Sequence, residues 1–245
     1  MNIKLSALDQ SPIGEGSNST EALRNTITLA QELEKLGYHR FWVSEHHDTR
    51  SLAGSSPEIL ISSIAAKTNK IRVGSGGVML PHYSPYKVAE NFKVLEALYP
   101  NRIDLGIGRA PGGMPLATKA LMQGRSIFSD NYEEKVLDLV RYIYDIVPEN
   151  HEFSGIKATP IVNTYPEIHI LGSSGGSAGL AAGIGASYAY AQFITGGMGV
   201  SSVNWYRDKF KKSVISSSPN TIICSFVICG ETKEEVNNQV AVMDL

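Results

Sequence analysis

An α/β fold, a TIM-type (β/α) barrel that stops short of its eighth βα unit, is predicted by three observations. Seven short apolar runs of strand character begin near Ile3, Arg40, Ile71, Ile103, Ile168, Tyr188 and Thr221. Most are followed by a stretch in which apolar residues recur at spacings of three and four, the pattern of repeated βα units around a parallel sheet. The second run, Arg40-Phe41-Trp42-Val43, breaks abruptly into Ser44-Glu45-His46-His47, and β/α enzymes place their chemistry at the carboxyl ends of buried strands. With 245 residues and 42% hydrophobic content, residues 1–245 are expected to form a single domain around one core.

The first strand is read over Ile3 to Leu8. The helix after it carries Leu23, Ile27, Ala30 and Leu33 on one face, with Asn18 and Glu21 as its cap. Ser56-Pro57-Glu58 opens a second helix bearing Leu60, Ile61, Ile64 and Ala65, and Ser84-Pro85 opens a third bearing Val88, Phe92 and Leu95. Proline in the first helical turn gives up an N–H that has no partner there anyway. Val136, Leu139, Val140 and Ile143 trace a fourth helix. From Pro148 to Pro166 the prolines and Gly155 predict an irregular excursion before the fifth strand. A helix beginning near Ala178 follows, then the strands at Tyr188 and Thr221 to Cys229, and Thr232-Lys233-Glu234-Glu235 starts a last helix with Val236, Val240 and Met243. An eighth strand has no sequence left to form it, so C-terminal truncation is expected, as a fragment or as a short form. The first and seventh strands then need cover for their free backbone groups.

Composition narrows the partners. A net charge of -2 and a pI near 6.3 supply no basic field for nucleic acid or anionic membrane, and the expected ligand is a small molecule. The amino terminus reads straight into a strand without a signal segment, and no apolar run approaches membrane-spanning length. Cys224 and Cys229, if in one strand, stand roughly 17 Å apart and cannot bridge, so a reducing cytoplasm is the expected location.

Glu45, His46 and His47 sit where strand becomes loop. The two imidazoles project differently, which makes them poor joint ligands, and no metal site is expected. Either one side chain packs and the other orients it, or an imidazole titrating near pH 6.5 exchanges protons with a substrate. Arg109, ahead of Ala110-Pro111-Gly112-Gly113, suits a phosphate by its planar fork, or else pairs with a surface carboxylate. Leu171-Gly172-Ser173-Ser174-Gly175-Gly176-Ser177 lies between strand and helix, where small residues, hydroxyls and a helix amino end favour an anion, although such a loop can be only a turn. Gly76 and Gly77 interrupt a strand and mark a bulge or a close approach. No GxGxxG follows the first strand, which argues against a dinucleotide-binding domain. His82 and Tyr83 are either mouth residues or an exposed pair. His39 and His169 read as structural, His151 falls in the excursion, and Phe41, Trp42 and Met79 read as core.

Three blocks, Arg40 to His47, Arg72 to Pro81 and Ile103 to Arg109, resemble in order those of the bacterial luciferase-like flavin monooxygenases. The resemblance spans nearly the whole chain, though that family continues through an eighth strand and helix. It implies a monooxygenase that uses reduced FMN and O2 on a small organic substrate, its reducing equivalents coming from a separate flavin reductase or from NAD(P)H. It implies that His46 is the catalytic histidine, with Glu45 orienting or polarising the histidine pair. Arg109, Gly172, Ser173, Ser174 and Ser177 would hold the flavin phosphate, and a cis peptide at Gly76-Gly77 would lie beneath the ring. A homodimer through helices beside the early strands is implied as well. Two departures stand out: Gly108 replaces a reactive cysteine and Ser173 a glutamate of the luciferases, so light emission is not implied. A deazaflavin-dependent oxidoreductase and a non-catalytic flavin-binding protein are the alternatives.

Overall fold

The computed structural model describes residues 3–110, 113–123, 131–195 and 199–243. Seven parallel strands, β1 (Ser6–Asp9), β2 (Arg40–Val43), β3 (Arg72–Met79), β4 (Ile103–Gly108), β5 (Glu167–Gly172), β6 (Ser187–Ala191) and β7 (Thr221–Cys224), pair in sequence order as one curled sheet, a half-barrel. Between them run α1 (Ser19–Lys35), α2 (Pro57–Ala65), α3 (Pro85–Leu98), α4 (Pro115–Leu121), α5 (Tyr132–Ile143), α6 (Gly175–Ile184), α7 (Gln192–Thr195) and α8 (Gly199–Lys209), with α9 (Lys233–Met243) after β7. Among the described residues no strand joins β7 back to β1, and no helix is long and apolar enough to cross a membrane.

Strand alternation divides the side chains into two sets. Phe41, Val43, Val73, Ile103, Leu105, Ile107, Ile168 and Ile170 turn outward and pack with Leu60, Ile61, Ile64, Phe92, Leu139 and Ile143 of α2, α3 and α5 as one buried core. Arg40, Trp42, Asp104 and His169 turn inward. At the amino ends of the strands Asp104, fully buried, accepts from Arg40 Nε (2.8 Å), Arg72 Nε (2.7 Å) and Trp42 Nε1 (2.9 Å), and Arg40 reaches on to Glu167 (2.8 Å). His169 stacks edge-on against Trp42 at 4.9 Å. Two guanidinium groups facing two carboxylates close the base of the barrel.

The β3–β4 pairing shifts register between Ser75 and Val78, with Gly76 and Gly77 opposite the single residue Gly106. A bulge leaves ladder groups unpaired, and here Ser75 Oγ takes both, donating to Gly106 O at 2.9 Å and accepting from Gly106 N–H at 3.0 Å. A Cβ on Gly77 would stand 2.7 Å from Gly106 O, and one on Gly76 would stand 2.6 Å from Leu8 Cδ1 and 3.2 Å from Trp42 Cε3. Glycine at both positions is a packing requirement. The Gly76-Gly77 peptide is cis.

The expected caps and starts hold: Asn18 accepts from Glu21 N–H at 3.1 Å, and Pro57 and Pro85 begin their helices. Four expectations need correction. The first strand is Ser6–Asp9, not Ile3 to Leu8, since Ile3 and Leu5 are exposed. The seventh ends at Cys224, not Cys229, because only Thr221 to Cys224 find partners on β6 and Phe226 and Val227 stand exposed beyond the sheet. Both cysteines are free, with Cys229 outside any strand. The helix expected near Ala178 starts at Gly175. Short α4 and polar α8, which buries Val203 and Tyr206, carry too weak a periodicity to be read ahead.

Candidate active site

The carboxyl ends of β1 to β5 carry the site. Its first wall is built by two loops zipped together. Asp9 accepts from Thr26 Oγ1 (2.5 Å) and from Ser11 N–H (3.1 Å), holding Ser11 in a left-handed turn. From there Ala53 N–H donates to Ser11 O (2.9 Å) and Ile13 N–H to Ser51 O (2.8 Å), which fixes the β2–α2 loop. Gly54, tucked against Ser44 O and Gln10 O, then accepts His46 N–H at 2.8 Å.

The three residues Glu45, His46 and His47, just beyond β2, have different environments. Glu45 is fully buried and accepts three hydrogen bonds: Met79 N–H donates at 3.0 Å, Tyr83 O–H at 2.7 Å, and His47 Nε2 lies at 2.7 Å. Glu45 therefore orients His47 rather than His46. His46 is half-buried, its Nδ1 3.0 Å from Ser44 Oγ. Burial, then the neighbouring His47, push its imidazole below the usual range, against a smaller upward pull from Glu45. Burial and then Glu45 push the Tyr83 phenol up, and burial holds the carboxyl of Glu58, on α2, above the usual carboxylate range with Glu45 adding to the effect. His82 is buried and its ring meets those of His47 and Tyr83 edge-on at 6.2 and 6.0 Å, so the two are not an exposed pair.

The second wall follows β4 and β5. Ile107 pairs with Ile170, and two residues further on Arg109 follows the end of β4 while Gly172 ends β5, so both lie at the rim of neighbouring strands. Arg109 is exposed, with its guanidinium carbon 5.8 Å from the centroid of the Tyr132 ring. Beyond Gly172, Ser174 stands at the start of α6 without a side-chain cap hydrogen bond, and Ser174, Gly175 and Gly176 are open to solvent. The starts of α2, α3 and α4 likewise have no side-chain cap, whereas α1 and α5 are capped by Asn18 and Asn131. Tyr188 O–H supports the loop from below by donating to Gly172 O (3.3 Å) and Ser174 O (3.4 Å), while Ser177 Oγ donates to Ser174 O (2.9 Å). The uncapped N–H groups of a helix start, serine hydroxyls and a neighbouring guanidinium form a donor set suited to a phosphate. Between the walls Gly76 and Gly77 leave the backbone of β3 bare of side chains.

The structure brings the candidate residues to the carboxyl half of the sheet in two groups, Glu45 with His46 and His47, and Arg109 with Gly172, Ser173, Ser174 and Ser177, with Gly76 and Gly77 inside β3. Gly113 joins the groups, its backbone bridging to that of His47. Pro111 and Gly112 lie outside the described residues. Sequence reasoning missed Glu58, Ser44, Tyr132 and the Asp9–Ser11–Thr26 link. Glu58 was visible only as a helix-start acid. Two concavities, about 450 Å³ beside Thr232, Glu235 and Gln239 and about 500 Å³ beside Leu5, Glu34 and Ile71, contain none of these residues.

The luciferase-like monooxygenase family matches residues 1–244. The uncharacterized protein YwcH of Bacillus subtilis (strain 168) is 54% identical over 242 residues, covering 99% of this chain and 73% of YwcH. The N-acetyl-S-alkylcysteine monooxygenase of the same organism is 49% identical over 194 residues, covering 79% of this chain and 58% of that protein. Among solved structures, apo-MsnO8 superposes with a TM-score of 0.88 at 40% identity, covering 99% of this chain and 71% of its own.

Proposed function

The chain belongs to the luciferase-like monooxygenase family of oxidoreductases, and we propose that it acts as an FMN-dependent monooxygenase on a small organic substrate. The observation that carries this reading is the placement of exposed Arg109, just past the end of β4, and of the uncapped start of α6, just past β5, at the carboxyl ends of neighbouring strands. That donor set fits the phosphate of FMN. Gly172 lies so close to Ser177 that any side chain would fill the cradle, while Gly175 has open space on its Cβ side.

In this reading Arg109, Gly172, Ser173, Ser174 and Ser177 bind the phosphate, and Gly76 and Gly77 offer a flat backbone to the ring. When bound, reduced flavin supplies two electrons and the site at which O2 is activated. His46 and His47 stand ready to donate or accept protons beside it, and Glu45 fixes the geometry of that pair. Reduced flavin comes from a separate reductase or from NAD(P)H. Exposed Ile59, Val94 and Leu98 on α2 and α3 suit a homodimer. The name of the cysteine-derivative relative brings S-alkylated cysteines to this chain as first candidate substrates.

Incubation with FMN, a flavin reductase, NADH and a panel of N-acetyl-S-alkylcysteines and aldehydes, with products followed by mass spectrometry, tests the proposal. Incorporation of one oxygen atom from O2 is expected. Hydrogen peroxide as the sole product would indicate a flavin-binding protein without monooxygenase activity, and turnover only with a deazaflavin would move the protein to the other cofactor class.

A further inference from the structure

The two adjacent imidazoles differ in what could stabilise a proton on them. An imidazole that takes up a proton during a reaction is stabilised by a carboxylate on its far nitrogen, which also fixes the ring's tautomer and orientation. Among the described residues His46 has only the Ser44 hydroxyl, 3.0 Å from Nδ1. His47 has Glu45, 2.7 Å from Nε2 and fully buried, so water does not weaken the interaction. Since Tyr83 O–H and Met79 N–H donate to the same carboxylate, and a carboxylate only accepts, the ring proton belongs on Nε2 of His47. Its Nδ1 has no hydrogen-bond partner among the described residues, although the side chain is only 13% exposed.

We propose that His47 is the proton-handling residue of the site, with Nδ1 taking up and returning the proton while Glu45 holds Nε2–H and Tyr83 and Met79 hold Glu45. The proposal rests on the flavin-dependent reading above and assigns roles within it. One proton is gained at Nδ1 and the same proton is given back within a turnover, so His47 ends unchanged, and the electrons remain those of the reduced flavin. The titratable groups facing His47 are Glu45 and His46 on its own segment and His82 and Tyr83 after β3, with Glu58 of α2 acting on Glu45 and Tyr83. From the loop after β4 comes the Gly113 backbone, which bridges to that of His47. Because that loop also carries Arg109, the segment that would hold the phosphate is tied to the residue that would move the proton. Glu45 and Tyr83 are positioning residues.

Histidine-selective 15N NMR of the wild-type protein without cofactor tests the assignment first. The expected result is His47 as the Nε2–H tautomer with a strongly hydrogen-bonded proton, which Glu45→Gln reduces to an ordinary hydrogen bond to a neutral amide oxygen and Tyr83→Phe shifts less. Stopped-flow mixing of the reduced-FMN complex with O2 tests the role. His47→Gln is expected to keep FMN affinity but to lower product yield on the order of 100-fold and remove the pH dependence of the oxygen reaction, with Tyr83→Phe falling between. An Nδ1–H tautomer at His47 in wild type, or an unchanged yield and pH profile in His47→Gln, overturns the proposal. Failure of the wild-type protein to bind FMN at all would instead sink the flavin reading, and the tautomer measurement, made without flavin, remains a separate result.

Discussion

Both ends of this half-barrel bury charge, and they do so in opposite ways. At the base Arg40 and Arg72 face Asp104 and Glu167, so positive and negative groups cancel, with Arg40 donating to both carboxylates and Arg72 donating to Asp104 and standing 3.3 Å from Glu167. At the rim Glu45 and Glu58 lie close together, and Glu45 is held by a backbone N–H, a phenol and an imidazole instead of a guanidinium. A balanced buried cluster is a scaffold, since removing one member strands the others. An unbalanced one leaves groups whose protonation can change, which marks it as the place for chemistry. Stability and reactivity are thereby separated along the strands.

The largest expected effect would break that comparison if it failed. Asp104→Ala leaves Arg40 and Arg72 facing each other and Trp42 Nε1 unpaired, at a cost of about 3 to 5 kcal/mol, a fall in Tm on the order of 10 °C for a chain this long. Calorimetry should show it. Glu45→Gln, equally buried, keeps an acceptor for its donors and should cost about 1 to 2 kcal/mol while abolishing product formation. Equal losses of stability for the two variants would erase the distinction between base and rim.

Next in size is the phosphate wall. Arg109→Ala should weaken FMN binding by about 1.5 to 3 kcal/mol, roughly 10- to 150-fold, with little change in Tm because Arg109 is exposed. Isothermal titration at low salt measures it. Ser75→Ala removes both hydrogen bonds to Gly106 inside the bulge and should cost about 1 to 3 kcal/mol in chemical denaturation, without altering the base cluster.

The alternation of outward core residues and the capped helix starts made the seven-strand order legible, because periodicity and local capping are encoded in neighbouring residues. The rim residues Glu45, His46, Arg109 and Gly172 were legible for a related reason: each interrupts or ends an apolar run. The base was just as visible as a pattern, since Arg40, Arg72, Asp104 and Glu167 fall near the amino ends of consecutive strands of the sheet, yet their pairing depends on the registers Arg40 to Arg72 and Asp104 to Glu167, which no local signal states. Glu45 shows the same limit. Its position was evident, but its choice of His47 over His46 depends on Tyr83, 38 residues away. The strand ends at Leu5 and Cys224 were misjudged because apolar residues continue past the last backbone partner.

The smallest expected effect sharpens the contrast by pH. Glu167 is held down to about 2, first by His169, whose Nε2 lies 3.7 Å away, against burial, and then by Arg72 and Arg40. A carboxylate whose folded value is depressed adds stability above its unfolded value of 4.5, and that stability is lost as pH falls from there toward 2. Since its side chain is 45% exposed, solvent keeps the effect small. Acid unfolding of Glu167→Gln should therefore be slightly flatter than wild type below pH 4.5. Glu58 has the opposite sign: its raised value favours the protonated form in the fold, so Glu58→Gln should gain stability near neutral pH relative to acid.

In the proposed function the rim binds FMN through its phosphate. Parallel fluorescence titrations of the wild-type protein with FMN and with riboflavin, which lacks only that phosphate, test it most directly. Micromolar binding of FMN, with riboflavin weaker by about the same 10- to 150-fold that Arg109→Ala costs FMN, is the predicted result. Equal affinity for FMN and riboflavin, or no affinity for either, would contradict it.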